Sequence, residues 1–399
     1  MSTAANHPVV FASPGAGAAV QAQSARIPWY IWTGVLAITS SSIGGAWDVS
    51  WHRSIGRDTF WTPAHMAIQA CGVLAGIICV WLIAQATLGH DSKLKAASVN
   101  VFGLRAPLGI FLAGWGCVAV LTSAPFDNWW HNAYGLDVKI VSPPHALLIL
   151  GLRGISIGVM FLILAAMNRA AENDEVTFKR LQALLLYVGG LAVVGQMFFV
   201  QESTWDVKLH QAAAYIAVGI GLPFFFALFS QASRSRWAAT TTATIYTVFV
   251  IAEILILPLF PAHPKLGPVY NTVTHMVPAK FPILILVPAV ALDLLWQRVK
   301  NWKMWQIALL SGVVFIAVLT AVEWPFANFL LSDASKNRFF GTDYFQYNSP
   351  ADGFDRLRKW FDPEHGIVLY AGLLRATVYA SISTWIGLLF GRWMRGVQR

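Results

Sequence analysis

The chain has 399 residues, 56% of them hydrophobic and 12% charged, with a formal net charge of +9 and a mean hydropathy of +0.57. Soluble domains carry about a quarter charged residues, so an ordinary cytoplasmic globular protein is excluded. Disorder needs low hydrophobicity and is excluded as well. Lipid is the solvent that fits, and in a membrane chain a basic excess follows from loop bias and does not require nucleic acid.

Residues 1–26 are rich in Ala, Ser and Gly and read as a mobile cytoplasmic leader. The first apolar run follows with no basic cluster before it and is too long for a signal peptide, so it reads as a retained helix. Ten runs qualify as spans: 28–47, 63–88, 104–125, 144–167, 182–201, 210–233, 238–260, 280–297, 303–325 and 367–390. The expected fold is therefore all-α, a polytopic membrane bundle of about ten transmembrane helices arranged as helical hairpins. Residues 27–170 form two repeated hairpins, 171–325 hold further helices, and 367–399 hold the last helix with a short tail. Between them, 326–366 is a long outer loop. Its stretch from Ser349 to Phe361 places Phe354, Leu357 and Phe361 at helical spacing, as an interfacial helix or a cover over a site would.

Basic residues orient the chain. With both termini inside, fifteen lysines and arginines fall on the inner segments and six on the short outer loops. A bacterial inner membrane is the expected location. Eight of the ten histidines then lie at the outer face, with His7 and His90 excepted. The cysteines Cys71, Cys79 and Cys117 sit inside apolar runs and read as packing residues.

Two outer segments repeat each other. Trp47 to His65 reads WDVSWHRSIGRDTFWTPAH, and Phe126 to His145 reads FDNWWHNAYGLDVKIVSPPH. Asp48, Trp51, His52, Gly56, Asp58, Pro63 and His65 match Asp127, Trp130, His131, Gly135, Asp137, Pro143 and His145. Asp and His four apart share a helical face, so both can point at one ion. Thr62-Pro63 and Ser142-Pro143 read as helix starts, which places His65 and His145 in a first turn where chain reversal can return each imidazole to its Asp/His pair. Two imidazoles with one carboxylate leave coordination positions open, as at a reactive metal, and suit iron, copper or zinc. Asp48, His52, His65, Asp127, His131 and His145 are thus the expected metal ligands. Trp205, Asp206 and His210 echo the motif more weakly, with Glu202 as a possible third ligand, and His263 and His275 flank a Pro/Gly-rich loop.

These triads resemble the metal-binding helices of the C subunit of copper membrane monooxygenases, the particulate methane and ammonia monooxygenase family. Asp48, His52 and His65 stand at that subunit's Asp-x3-His-x12-His spacing, and Asp127, His131 and His145 at its Asn-x3-His-x13-His spacing, with Asp in place of Asn. The wording Arg57-Asp58-Thr59 followed by Thr62-Pro63-Ala64-His65 is also similar. The resemblance covers residues 40–150 and implies copper, dioxygen and partner membrane subunits, since no cupredoxin-like domain is present. The expected activity is hydroxylation of a small, mostly apolar substrate, with electrons from a quinol or a redox protein. Asp127, His131 and His145, flanked by Phe126, Trp129 and Trp130, are the expected catalytic set, and the first triad a holding site. A metal transporter or metal-delivery protein, and a bis-His haem electron-transfer protein, are the competing readings. The first would need ligands through the bilayer, and the second has no use for paired Asp residues.

Arg153, Glu253, Asp293, Glu323 and Arg375 interrupt apolar runs. Asp293 and Glu323 lie near helix ends and read as structural. A deeper lone charge needs a partner, and Glu253 is expected to pair with Arg153 or Arg375.

Overall fold

In lipid every backbone polar group must be satisfied within the chain, so apolar runs of this length fold as helices. The computed structural model describes residues 26–56, 61–135, 142–172, 174–341, 346–349 and 362–398. Residues 1–25 of the leader, Arg57, Asp58, Asp137 and most of the amphipathic stretch up to Phe361 lie outside the described residues.

Eleven α-helices occur among the described residues: α1 (Trp29–Ser54), α2 (Pro63–Leu88), α3 (Ser92–Ala96), α4 (Leu108–Tyr134), α5 (Pro143–Ala170), α6 (Glu175–Val200), α7 (Ala212–Ser233), α8 (Ala238–Ile256), α9 (Leu286–Arg298), α10 (Met304–Leu330) and α11 (Gly366–Met394). A small antiparallel hairpin, β1 (Val99–Val101) with β2 (Leu104–Ala106), pairs Val99 with Ala106 and delays the start of α4 beyond the expected residue 104. Eight helical segments, of 22–29 residues each, are long and apolar enough to cross a membrane. At 1.5 Å per residue the shortest reaches about 33 Å, more than a hydrocarbon core of about 30 Å. The chain is an all-α, multi-pass membrane protein.

Two of the ten expected runs differ. Helix α1 has the length, but Thr39, Ser40, Ser41 and Ser42 dilute its hydropathy. Their hydroxyls are satisfied inside the bundle: Thr39 donates to the Val35 carbonyl at 2.8 Å, and Ser40 donates to the Ala67 carbonyl of α2 at 2.7 Å. The run 280–297 yields only the 13-residue α9, about 20 Å long and too short to span. Pro282 interrupts the run ahead of this helix, and the Leu284 N–H turns to a side chain, Glu323 Oε2, at 2.9 Å.

Hairpin packing is close where glycines meet. A Cβ on Gly116 of α4 would lie 2.5 Å from the Gly151 oxygen and 2.6 Å from the Ile155 nitrogen of α5. A Cβ on Gly44 of α1 would lie 2.7 Å from the Ile68 nitrogen of α2. Small residues let helices approach to backbone contact, which is how apolar helices associate in lipid. One core gathers Ile31, Cys71, Ile155, Leu164 and Leu185 from α1, α2, α5 and α6. The other gathers Tyr215, Tyr246, Leu292, Phe315 and Ala376 from α7 to α11. All three cysteines are buried and free, as packing residues should be.

Candidate metal centre

The two motifs sit on helix ends, where the sequence placed them in loops. Helix α1 continues past residue 47 to Ser54, and α4 past residue 125 to Tyr134. Asp48 with His52, and Asp127 with His131, are therefore adjacent turns of helix. Gly56 and Gly135 then stop the two helices, each at φ +85°, a left-handed conformation that glycine adopts without strain. The opposite helices start on matching caps: the Thr62 hydroxyl accepts the His65 N–H at 3.2 Å, and the Ser142 hydroxyl accepts the His145 N–H at 3.4 Å. Both closing histidines thus stand in a first turn and face back to the aspartate of the preceding helix.

In the first triad, Asp48 Oδ1 lies 3.1 Å from His65 Nε2 and Asp48 Oδ2 lies 3.7 Å from His52 Nε2. One ligand atom from each of the three residues falls within 4.8 Å of the others. In the second, Asp127 Oδ1 lies 3.1 Å from His131 Nε2 and 3.5 Å from His145 Nε2. Two ligands held at about 2.1 Å by one tetrahedral ion are about 3.4 Å apart, so each Asp–His pair in both sets has the spacing of ligands to a shared cation. Among the described residues only the first triad closes within 4.8 Å on all sides, so the second is the more spread. The triads are neighbours, because His145 of the second lies within electrostatic reach of Asp48.

Orientation of the imidazoles supports the same reading. His131 Nδ1 lies 3.0 Å from the Gly135 carbonyl oxygen, which can only accept, so Nδ1 carries the proton. This fixes the ring and turns Nε2 toward the Asp127 carboxylate. A lone pair and a carboxylate oxygen at 3.1 Å need a positive charge between them, a proton or a metal ion. Aromatic rings cluster on the same turns of α4 as this triad: Phe126 stacks on Trp129 at 5.9 Å between centroids, and Trp130 lies 4.5 Å from Tyr134. The His131 side chain is 9% exposed against 44% for His52, so the second triad is the more shielded from water at that ligand.

The weaker echo does not assemble. Asp206 turns to Lys280, 3.4 Å from its Nζ, and His210 packs edge-on against Trp324 at 4.8 Å between centroids. His275 Nδ1 lies 2.8 Å from the Thr274 hydroxyl, and Pro261 bridges to His275, a loop-closing role. The expected structural roles of Asp293 and Glu323 hold: Asp293 accepts the Ala239 and Thr240 N–H groups at the start of α8, at 3.3 and 2.7 Å. The expected pairing of Glu253 does not. Arg153 lies over the Phe199 ring at 5.5 Å, and Arg375 donates to the Ala371 carbonyl at 3.4 Å. The cation that faces Glu253 is Arg53 of α1. Arg53 stands in the last turn of α1, and the helical continuation of α1 turns it away from the first triad.

No family model, curated protein or solved structure matches this chain.

Proposed function

We propose that this chain is a copper-dependent membrane monooxygenase or monooxygenase-like subunit that hydroxylates a small, mostly apolar substrate at the triad end of the bundle. The observation that carries the reading is the pair of Asp/His/His sets with ligand atoms 3.1–3.7 Å apart, built by the same cap and glycine-stop geometry on two neighbouring hairpins. Their spacing also resembles that of the C subunit of copper membrane monooxygenases. Six protein ligands in two sets of three leave positions for substrate or water, as in a reactive site. Copper bound there would supply oxygen activation.

The protein's own part is to hold and shield. Asp48, His52 and His65 form the tighter, more solvent-open set and act as the holding site. Asp127, His131 and His145 form the working set, where Phe126, Trp129 and Trp130 on the same turns of α4 offer an apolar surface to substrate. The Gly135 carbonyl keeps His131 in the tautomer whose Nε2 is a ligand. Electrons come from a quinol or redox protein, dioxygen is the co-substrate, and partner membrane subunits complete the assembly. The triads face the extracytoplasmic side, with both termini cytoplasmic.

Metal analysis with EPR on the purified membrane protein tests this. Wild-type protein should carry copper, and His52→Ala and His131→Ala should each lose part of it. Only His131→Ala should abolish hydroxylation while copper stays at the first triad. Absence of any metal, or a His131→Ala variant with wild-type copper and activity, would overturn the assignment.

A further inference from the structure

Helix α1 has a second functional face. Asp48 and His52 look toward α2, while Ala46, Val49, Ser50 and Arg53 line a half-open cavity of about 100 Å³ shared with α6, α8 and residues 277–283. None of the six proposed ligands contributes to it.

Its walls carry two ionisable groups of opposite sign, Arg53 and Glu253, that do not meet. The Arg53 guanidinium has no carboxylate within 4.0 Å among the described residues, although Glu253 and Glu202 lie within electrostatic reach. Glu253 extends from α8, and its buried Oε1 has no hydrogen-bond partner among the described residues. Lys280 lies 3.4 Å from Asp206 Oδ2 and 4.6 Å from the centre of the Trp205 ring, with ammonium protons to spare. Buried charges are normally paired, and here the gap between Arg53 and Glu253 is the cavity itself.

A zwitterion answers both ends of that gap: its anionic end meets Arg53 and Lys280, and its cationic end draws the buried Glu253 into the ionised form. Aromatic side chains Tyr246 and Phe281 in the lining suit the cationic end. A cavity of about 150 Å³ holds the six carbons of benzene, so about 100 Å³ takes about four non-hydrogen atoms, and the open side leaves room for one more. Glycine has five. We propose that this cavity binds a small zwitterion of the amino-acid type, with its carboxylate on Arg53 and Lys280 and its ammonium on Glu253. The site uses none of the proposed metal ligands, and its existence stands or falls separately from theirs.

Titration calorimetry on the full chain in nanodiscs tests it, with glycine, acetate and methylammonium as probes. Acetate and methylammonium each carry one of the two charges. Glycine should bind at least tenfold more tightly than either, and Arg53→Gln and Glu253→Gln should each weaken glycine at least tenfold. Glycine binding no tighter than the single-charge probes, or no binding at all, would mean a cavity that holds water only and would overturn the proposal. That comparison uses wild-type protein and does not depend on the variants folding. Glycine binding that both variants leave unchanged would also overturn it.

Discussion

Gly44 sets the distance between the two helices that carry the first triad, one turn before Asp48. An added Cβ would lie 2.7 Å from the Ile68 nitrogen, 2.8 Å from Ile68 Cγ1 and 3.0 Å from the Ala64 oxygen. Ordinary contact begins near 3.4 Å, so Gly44→Ala must push α2 back by about 0.7 Å. Backbone cannot rotate away as a side chain can, and overpacking of this kind costs about 1–3 kcal/mol. The same displacement carries His65, next to Ala64, from 3.1 Å to about 3.8 Å from Asp48. Disturbing the geometry that holds a metal ligand lowers affinity about 10- to 100-fold. Copper titration of folded Gly44→Ala should show that loss at one site of two. The neighbour is the control: a Cβ on Gly45 meets only Phe198 Cε2, at 3.8 Å, so Gly45→Ala should bind both metals normally. Equal copper binding by the two variants and wild type would refute the argument that helix spacing builds the site.

Three further outcomes follow from the same geometry. Asp127→Asn should retain the second metal but raise its reduction potential, because a nearby negative charge stabilises the higher oxidation state; an EPR-monitored redox titration with an unchanged midpoint would contradict this. Gly116→Val should lower the melting temperature and disturb the second triad, since its Cβ would meet the Gly151 oxygen at 2.5 Å. Gly114→Ala, with only Cys79 Sγ at 3.8 Å, should be silent in the same melting assay. Asp293→Ala should destabilise the protein by about 1–2 kcal/mol in chemical unfolding, having removed the side chain that accepts two N–H groups at the start of α8.

The ligand triads were legible in the sequence because they rest on local rules: a four-residue helical repeat, a Ser/Thr-Pro helix start and a glycine stop. The boundaries of α1 and α4 were not, because the apolar-run criterion ends at the first charged residue while the helix continues into the polar zone. That error hid Arg53, whose side of α1 is decided by one extra turn. Proline was undervalued in the run 280–297, where hydropathy alone suggested a span. The partner of Glu253 was out of reach for a different reason. Two hundred residues separate it from Arg53, and nothing in the periodicity of either helix says that α1 and α8 meet around one cavity.

The last turns of α1 carry Asp48 and His52 on one side and Arg53 on the other, within six residues of rigid helix. They are also clasped from outside: Ser54 Oγ accepts the Val277 N–H at 2.7 Å, and the Ile55 carbonyl accepts the Lys265 N–H at 2.9 Å. A rotation or shift of those turns cannot be confined to one side. Any molecule that draws Arg53 toward the cavity also moves two of the three ligands behind it. By thermodynamic linkage the traffic is two-way: whatever factor one occupant imposes on the affinity of the other is returned unchanged. The end of this one helix is thus the element through which two otherwise separate chambers would sense each other.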